Sequence, residues 1–283
     1  MPGAAEVDVV ADVGGSKLLL RALAPGGEVL DEERRATGPD ADGAFLDEQV
    51  AAFAARQGAV ASVGVAVPGL VDAEGRVVVS DVLPRLAGWG PGAGRGVDLV
   101  VNDVRASLAA ARSTHPEVRD LVVVVVGTGI AAAVLSGGRM LGGTTGWAGE
   151  LGSVPVDLAG GTTARLDDLA SGRAVTEAVR RPGAEVAELV AAGDAEAVRV
   201  VRDAGRALGR AVGGVVTLLN PARVVLAGGT TRYPGYVDAV QEAAAEAALP
   251  EPWAACRLTV DADPGTLVVR GLAALLRIHR DGA

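Results

Sequence analysis

One pattern occurs twice in this chain and constrains its fold more than any other feature: a buried β-branched run, a glycine turn, and a second extended run. Val7 to Val13 ends in Gly14-Gly15 and is followed by Leu18 to Ala24. Leu121 to Val126 ends in Gly127-Thr128-Gly129 and is followed by Ile130 to Leu135 and a further turn at Gly137-Gly138. Apolar runs this short, bounded by glycine, read as buried strands rather than helices. The restart is a weak internal repeat of architecture and predicts two α/β lobes. A length of 283 residues accommodates two lobes of ordinary domain size, and two lobes imply a cleft.

In the first lobe, Glu28 to Arg35 follows the Pro25-Gly26-Gly27 turn and completes a meander of three strands. Phe45, Val50 and Phe53 fit one face of a helix over residues 42–56. Val60 to Val67 returns as a strand ending in Pro68-Gly69, and Val97 to Val101 as another ending in Asn102-Asp103, behind a surface loop from Gly88 to Gly96. The expected order is strands, helix, strand, helix, strand, with a helix from Asp103 to Arg112 leading out. In the second lobe, Val198, Val201, Leu208, Val212, Val215 and Leu219 recur near helical spacing between Ala195 and Leu219, with Asp194 as N-cap and Asn220-Pro221 as the stop. Gly205, Gly209 and Gly213 on that helix let another element pack closely. Arg223 to Ala227 and Arg257 to Val260 are strands, the former ending in Gly228-Gly229-Thr230, and a last helix runs from Thr266 to Ile278. The expected domains are residues 1–103 and 104–265, with the C-terminal helix of 266–283 packing back on the first.

Charge and cysteine usage remove several function classes. A net charge of −9 without a basic cluster argues against a nucleic-acid or anionic-membrane partner. Cys256 is the only cysteine, which excludes an intrachain disulfide or cysteine-based metal cluster and fits a reducing cytoplasm. Met1-Pro2-Gly3-Ala4-Ala5-Glu6 turns acidic at once and lacks the basic and apolar regions of a leader. The longest strongly apolar run, Leu121 to Val126, is far too short to span a bilayer. Lys17 is the only lysine among 26 basic residues and stands inside a glycine turn. An ammonium for an anion is one reading of it, and a chance survivor on a strand edge is the other.

The glycine turns carry the chemistry. Asp12, at the end of a buried strand, precedes Gly14, Gly15 and Ser16. Consecutive N–H groups there can receive an anion while the carboxylate holds a hydrated Mg²⁺; a plain hairpin turn explains the glycines about as well. Gly127, Thr128 and Gly129 have a similar anion-binding form. The stretch from Gly127 to Ala132 also matches a relaxed dinucleotide fingerprint with Glu150 downstream, but that reading needs a helix where Ile130 to Leu135 reads as a strand. A Walker-type loop is excluded because Ser16 precedes the only lysine. Asp103 could take a proton from an attacking hydroxyl, and Asn102-Asp103 could equally be a helix N-cap. His115 and His279 lie outside these motifs, and no G-x-S-x-G elbow is present.

Taken in order, these motifs resemble the bacterial sugar kinases of the ROK family (repressors, open reading frames and kinases) over nearly the whole chain. Asp12-Val13-Gly14-Gly15-Ser16-Lys17 is similar to that family's first phosphate loop, D-x-G-G-T-K, and Gly127-Thr128-Gly129-Ile130 to its second. Gly64 to Gly69 resembles its G-I-G-V-P-G segment, Asn102-Asp103 its sugar-binding asparagine and catalytic aspartate, and Gly149-Glu150-Leu151-Gly152 its G-E-[IL]-G. Asn220-Pro221 with Val224 to Gly229 resembles the adenosine-side signature. The resemblance implies a two-lobed actin/hexokinase-like (ribonuclease H-like) α/β fold with duplicated lobes and a central cleft. It implies ATP and Mg²⁺ as cofactors and a homodimer as the assembly. It further implies Asp103 as catalytic base, Asp12 as Mg²⁺ organiser through water, and phosphate contacts from Gly14, Gly15, Ser16, Lys17, Gly127, Thr128, Gly129, Gly228 and Gly229. Asn102, Gly69, Glu150, Ser153 and Asp167 would hold the acceptor.

The chain also departs from the family pattern. Ser153 replaces the histidine that contacts sugar and zinc, Leu158, Gly160 and Arg165 stand at the zinc cysteines, and Leu166-Asp167 replaces L-E. No zinc site is therefore expected, and the loop must be held otherwise, through Arg165 and Asp167 or Asp168. Arg105 replaces an asparagine beside the catalytic aspartate, and Ala131 a glycine in the second phosphate loop, where a methyl could lengthen the approach to phosphate. The expectation is an ATP-dependent kinase acting on the 6-OH, or its equivalent, of a hexose-like aminosugar or seven-carbon cyclitol. The alternative is a catalytically silent sugar sensor or scaffold. The first strand begins near Val7, so the DNA-binding helices of the family's repressors are not expected.

Overall fold

The computed structural model describes residues 6–92, 95–157, 161–263 and 265–282. Met1–Ala5, Ala93 and Gly94 of the surface loop, and Leu158 and Gly160, set against the family's cysteines by the resemblance, lie outside them. In chain order the first elements are β1 (Val7–Val13), β2 (Lys17–Leu23), β3 (Val29–Ala36), α1 (Gly43–Ala54), β4 (Val60–Val67), β5 (Leu70–Val71), β6 (Val77–Val79), β7 (Leu99–Asn102) and α2 (Asp103–Thr114). There follow β8 (Leu121–Val126), β9 (Ile130–Ser136), β10 (Arg139–Met140), β11 (Pro155–Asp157), β12 (Thr163–Arg165), α3 (Asp167–Ala170), α4 (Gly172–Val179) and α5 (Gly183–Ala191). The chain continues with α6 (Ala195–Leu219), β13 (Arg223–Ala227), α7 (Tyr236–Ala247), α8 (Pro250–Ala255), β14 (Arg257–Val260) and α9 (Leu267–Gly282).

Two compact units result. The first comprises Met1–Thr114, Thr144–Gly146 and Thr266–Ala283, the second His115–Gly143 and Trp147–Gly265. The first is built on a sheet of order β3-β2-β1-β4-β7, the second on β10-β9-β8-β13-β14. The internal repeat is realised in both: an antiparallel hairpin closes across the glycine turn, and its first strand continues in parallel to two later strands.

In the first unit, one face of the sheet (Val9, Ala11, Leu18, Val65) buries Leu46, Val50 and Phe53 of α1. Asp42 caps that helix by accepting the Phe45 N–H at 2.9 Å. The opposite face, with Val10 and Ala66, buries Leu272 and Leu276 of α9 and Ala106 of α2. A Cβ at Gly271 would overlap the Ala106 backbone, so the glycine lets α9 lie directly on α2. That packing carries the first unit through Thr114, beyond the boundary expected at residue 103. At the far end of α9, Arg280 pairs with the buried Asp8 and donates to Ser62 Oγ at 2.7 Å, while Ser62 donates to Asp8 at 2.7 Å. The helix expected between β4 and β7 is not formed among the described residues. The β5–β6 hairpin and a 3₁₀ turn at Pro84–Leu86 fill the interval, because Pro68, Gly69, Gly75, Pro84 and Pro91 interrupt any helical run.

In the second unit, Val201, Leu208, Val212 and Val216 of α6 pack over Val122, Val124, Val224 and Leu226. Asp194 caps α6 through the Ala197 N–H at 2.9 Å, and Asn220 ends it in the left-handed region. The element admitted by the three glycines is α7, which the sequence pattern did not signal because its buried stripe is mostly alanine: Ala239, Val240, Ala243 and Ala244. A Cβ at Gly205 would meet the Tyr236 carbonyl oxygen at 2.5 Å, and one at Gly213 the Ala244 carbonyl oxygen at 2.8 Å. No helix among the described residues is long and apolar enough to cross a membrane.

Candidate active site

The first glycine turn joins β1 to β2. Gly14 N–H donates to the Lys17 carbonyl at 2.7 Å, and Thr37 ties the turn to the end of β3: its Oγ1 donates to the Gly14 carbonyl at 2.5 Å and its N–H to the Ser16 carbonyl at 3.2 Å. A Cβ at Gly15 would lie 2.6 Å from Val82, so the backbone is held close to the segment after β6. It is thus a true hairpin turn, with Ser16 and Lys17 exposed at its tip. Lys17 has no carboxylate partner among the described residues. Asp12 has no hydrogen-bond or ion-pair partner among them either, and burial pushes its carboxyl up to about 6. A carboxylate desolvated without a compensating donor is a natural ligand for a hydrated divalent cation.

The parallel register places the C-terminal ends of three strands together, Asp12 opposite Ala66 and Val67 opposite Asn102. Asn102 does two jobs at this edge. Its Nδ2 donates to the Gly69 carbonyl at 2.8 Å, and its Oδ1 accepts the Val104 and Arg105 N–H groups at 2.9 and 3.1 Å. It is therefore the cap of α2, and Asp103 is the first helical residue, with Oδ1 2.8 Å from the Val104 N–H. Gly69 has φ +112°, and a Cβ there would come within 2.8 Å of Ser80 Cα, so no other residue fits. The first unit brings Asp12, Gly14, Gly15, Ser16, Lys17, Gly69, Asn102 and Asp103 to one end of its sheet.

The second glycine turn is framed from three sides. Gly127 N–H donates to the Gly129 carbonyl at 2.9 Å. The Gly127 carbonyl accepts the Gly172 N–H of α4 at 2.8 Å and the Thr230 hydroxyl at 3.3 Å. Gly228, with φ +99°, abuts the end of β8, where a Cβ would lie 2.6 Å from the Val126 carbonyl carbon. Gly228 and Gly229 are thereby placed beside Gly127. Thr37, Thr230 and Gly172 were not singled out as site residues in the sequence; Thr230 lies in a quoted glycine turn, and Ser171-Gly172 precedes a helix, which were the available signals.

Glu150 and Ser153 are exposed on the segment that runs beside β9. The Gly149 carbonyl accepts the Ala132 N–H at 2.7 Å, and a Cβ at Gly149 would lie 2.9 Å from the Ala132 carbonyl carbon. Ser153 N–H closes a turn onto the Glu150 carbonyl at 3.1 Å. Asp167, expected at the acceptor, has its Oδ1 on the Ile130 N–H at 2.6 Å. Strands β11 and β12 pair antiparallel, with Pro155 opposite Arg165 and Asp157 opposite Thr163, while Asp168 pairs with Arg173 at 3.0 Å and Arg165 is exposed.

The family model for the ROK family matches residues 9–278. A bifunctional enzyme NanE/NanK of Brucella melitensis is 32% identical over 254 residues, covering 82% of this chain and 47% of that protein. An N-acetylmannosamine kinase of Citrobacter koseri is 32% identical over 154 residues, covering 50% of this chain and 53% of the relative. The chain thus spans about half the length of these curated relatives. A ROK family glucokinase from Streptomyces griseus, solved with glucose and AMPPNP, superposes with a TM-score of 0.81 at 21% identity, over 96% of this chain and 99% of that one. The duplicated sheet topology, the two glycine turns and the family match agree: this chain belongs to the ROK family.

Proposed function

We propose that the protein is an ATP-dependent kinase that phosphorylates a hydroxyl, the 6-OH or its equivalent, of a hexose-like acceptor, an aminosugar or a seven-carbon cyclitol. The observation that carries this reading is the double engagement of Asn102. By binding the Gly69 carbonyl while capping α2, it fixes Asp103 at the sheet edge where β1 delivers Asp12. The acceptor class is supported by the N-acetylmannosamine kinase relative, and ATP by the AMPPNP-bound relative.

Asp103 accepts the proton of the attacking hydroxyl, a contribution of about 10²–10⁴ in rate for a positioned base. Asn102, the Gly69 turn, Glu150 and Ser153 hold the acceptor. The N–H groups of Gly15, Ser16, Thr128 and Gly129 donate to β- and γ-phosphate oxygens, with Gly14 closing the first turn on the Lys17 carbonyl and Lys17 supplying a positive charge. Gly228 and Gly229 serve the adenosine side. Asp12 fits Mg²⁺, since its desolvated carboxyl lacks a partner among the described residues. Bound there, the ion would neutralise phosphate charge. The assembly proposed is a homodimer.

ADP release over a panel of hexoses, aminosugars and cyclitols tests the reading. Turnover is expected on at least one acceptor, and Asp103→Asn should lower kcat by about 10²-fold or more with AMPPNP still bound. No turnover on any acceptor by a protein that binds nucleotide would instead assign a silent sugar sensor.

A further inference from the structure

We propose that Asp167 is a positioning residue for the second phosphate turn rather than a ligand of the acceptor; the inference rests on reading that turn as phosphate-binding. Asp167 opens α3, and its Oδ1 accepts the N–H of Ile130, the residue directly after the turn, at 2.6 Å. The carboxylate lies in a slot left by Gly152 and beside Gly129. A Cβ at Gly152 would lie 2.6 Å from Asp167 Cγ, and one at Gly129 would lie 3.5 Å from its Oδ1.

The backbone accounting of the turn shows what this clamp achieves. Gly127 N–H is spent on the Gly129 carbonyl, the Gly127 carbonyl on Gly172 and Thr230, and Ile130 N–H on Asp167. Among the described residues, the Thr128 and Gly129 N–H groups have no acceptor, and both residues are exposed. Adjacent unpaired N–H groups on a braced turn form an anion nest. By taking the Ile130 N–H and closing one side of the turn, Asp167 leaves those two donors facing outward. The hydrogen bond, and not the negative charge, is the working element, because a carboxylate beside bound phosphates would repel them. An asparagine, whose Oδ1 accepts the same N–H, should therefore serve as well or better.

The test compares wild-type protein, Asp167→Asn and Asp167→Ala by amide exchange at Ile130, by calorimetric binding of Mg·AMPPNP, and by KM for ATP and for the acceptor. Loss of one hydrogen bond corresponds to up to about tenfold in an equilibrium constant. Asp167→Ala should speed Ile130 exchange and raise the AMPPNP Kd by about that factor, with the acceptor KM changing less than about twofold. Asp167→Asn should hold both Ile130 protection and the AMPPNP Kd within about threefold of wild type. The proposal is overturned if Asp167→Ala raises the acceptor KM and leaves the nucleotide Kd unchanged, or if Asp167→Asn is as damaged as Asp167→Ala. Wild-type protein that binds no AMPPNP would refute the phosphate reading and this role together. Ile130 exchange in the alanine variant equal to wild type would refute the clamp alone.

Discussion

Adjacent glycines in α6 allow helix packing to be separated from helix propensity. A Cβ at Gly213 would lie 2.8 Å from the Ala244 carbonyl oxygen, 2.8 Å from Ala247 Cβ and 3.0 Å from the Ala248 N, whereas one at Gly214 would meet nothing within 4 Å. Both substitutions to alanine gain the same intrinsic propensity, about 0.8–1 kcal/mol. Only Gly213→Ala must also push α7 away, by about 0.7 Å if a carbon contact of about 3.5 Å is to be restored. The atoms met are the α7 backbone and a short alanine side chain, neither of which can rotate aside, so an overpacking cost of about 2–3 kcal/mol applies. Gly214→Ala should therefore stabilise by up to about 1 kcal/mol and Gly213→Ala destabilise by about 1–2 kcal/mol. In a domain of this size each kcal/mol moves Tm by about 2–4 °C, giving opposite shifts that scanning calorimetry resolves. If both variants gained stability equally, the α6–α7 contact would be looser than the glycine spacing implies and the argument would fail.

Two further perturbations test the first unit. The Asp12 carboxyl is raised from 3.8 to about 6 by burial, so the native state keeps its proton where the unfolded chain has lost it, and apo stability should fall as pH rises between those values. Asp12→Asn should remove that slope, raise apo stability at pH 7.5 by about 2 kcal/mol, and abolish the Mg²⁺ dependence of nucleotide binding; urea titrations at pH 4.5 and 7.5 check the first two, and a variant with the wild-type slope would refute the assignment. Arg280→Ala leaves the buried Asp8 with Ser62 alone as side-chain partner among the described residues and should cost about 2–3 kcal/mol at pH 7, with Asp8→Asn in the same chain recovering part of it in a double-mutant cycle. Additive losses would show that the pair is not coupled.

Strands and turns were legible because apolar β-branched runs between glycines carry their own boundaries: β1, β4, β8, β13 and β14 begin and end where composition changes. The long helix α6 was legible to the residue, since Asp194 and Asn220 mark its ends chemically. Its partner α7 was not, because alanine at the buried positions gives little hydrophobic contrast with the exposed face. The crossover from β4 to β7 differs from the helix expected there, because prolines and glycines between the two strands favour the β5–β6 hairpin and a 3₁₀ turn. At the site, the cap read at Asn102-Asp103 is made by Asn102, and Asp103 enters the first turn of α2. Thr37 left no local signal and Thr230 only its place in a glycine turn: they reach glycine carbonyls 23 and 103 residues away in sequence, and a lone hydroxyl at such separation forms no pattern.

The two glycine turns share a topology but are anchored by different means. The first is closed by its own hairpin and by Thr37 at the end of the same meander, so it depends on one continuous stretch of chain. The second depends on groups from α3, α4 and the turn after β13, each delivered by a different part of the second unit. Ala131 belongs to neither frame: it pairs with Val125 inside the ladder, and alternation turns its side chain to the face opposite Ile130 and Ala132, which pack under α6. Its methyl therefore does not point into the brace formed by Asp167, Gly172 and Thr230. Changes that disturb helix packing in the second unit should reach nucleotide binding through that brace, whereas the first turn should respond mainly to changes within β1, β2 and Thr37. The identical sheet order thus conceals unequal sensitivity. The second turn is the place where substitutions distant in sequence should alter phosphate binding most readily.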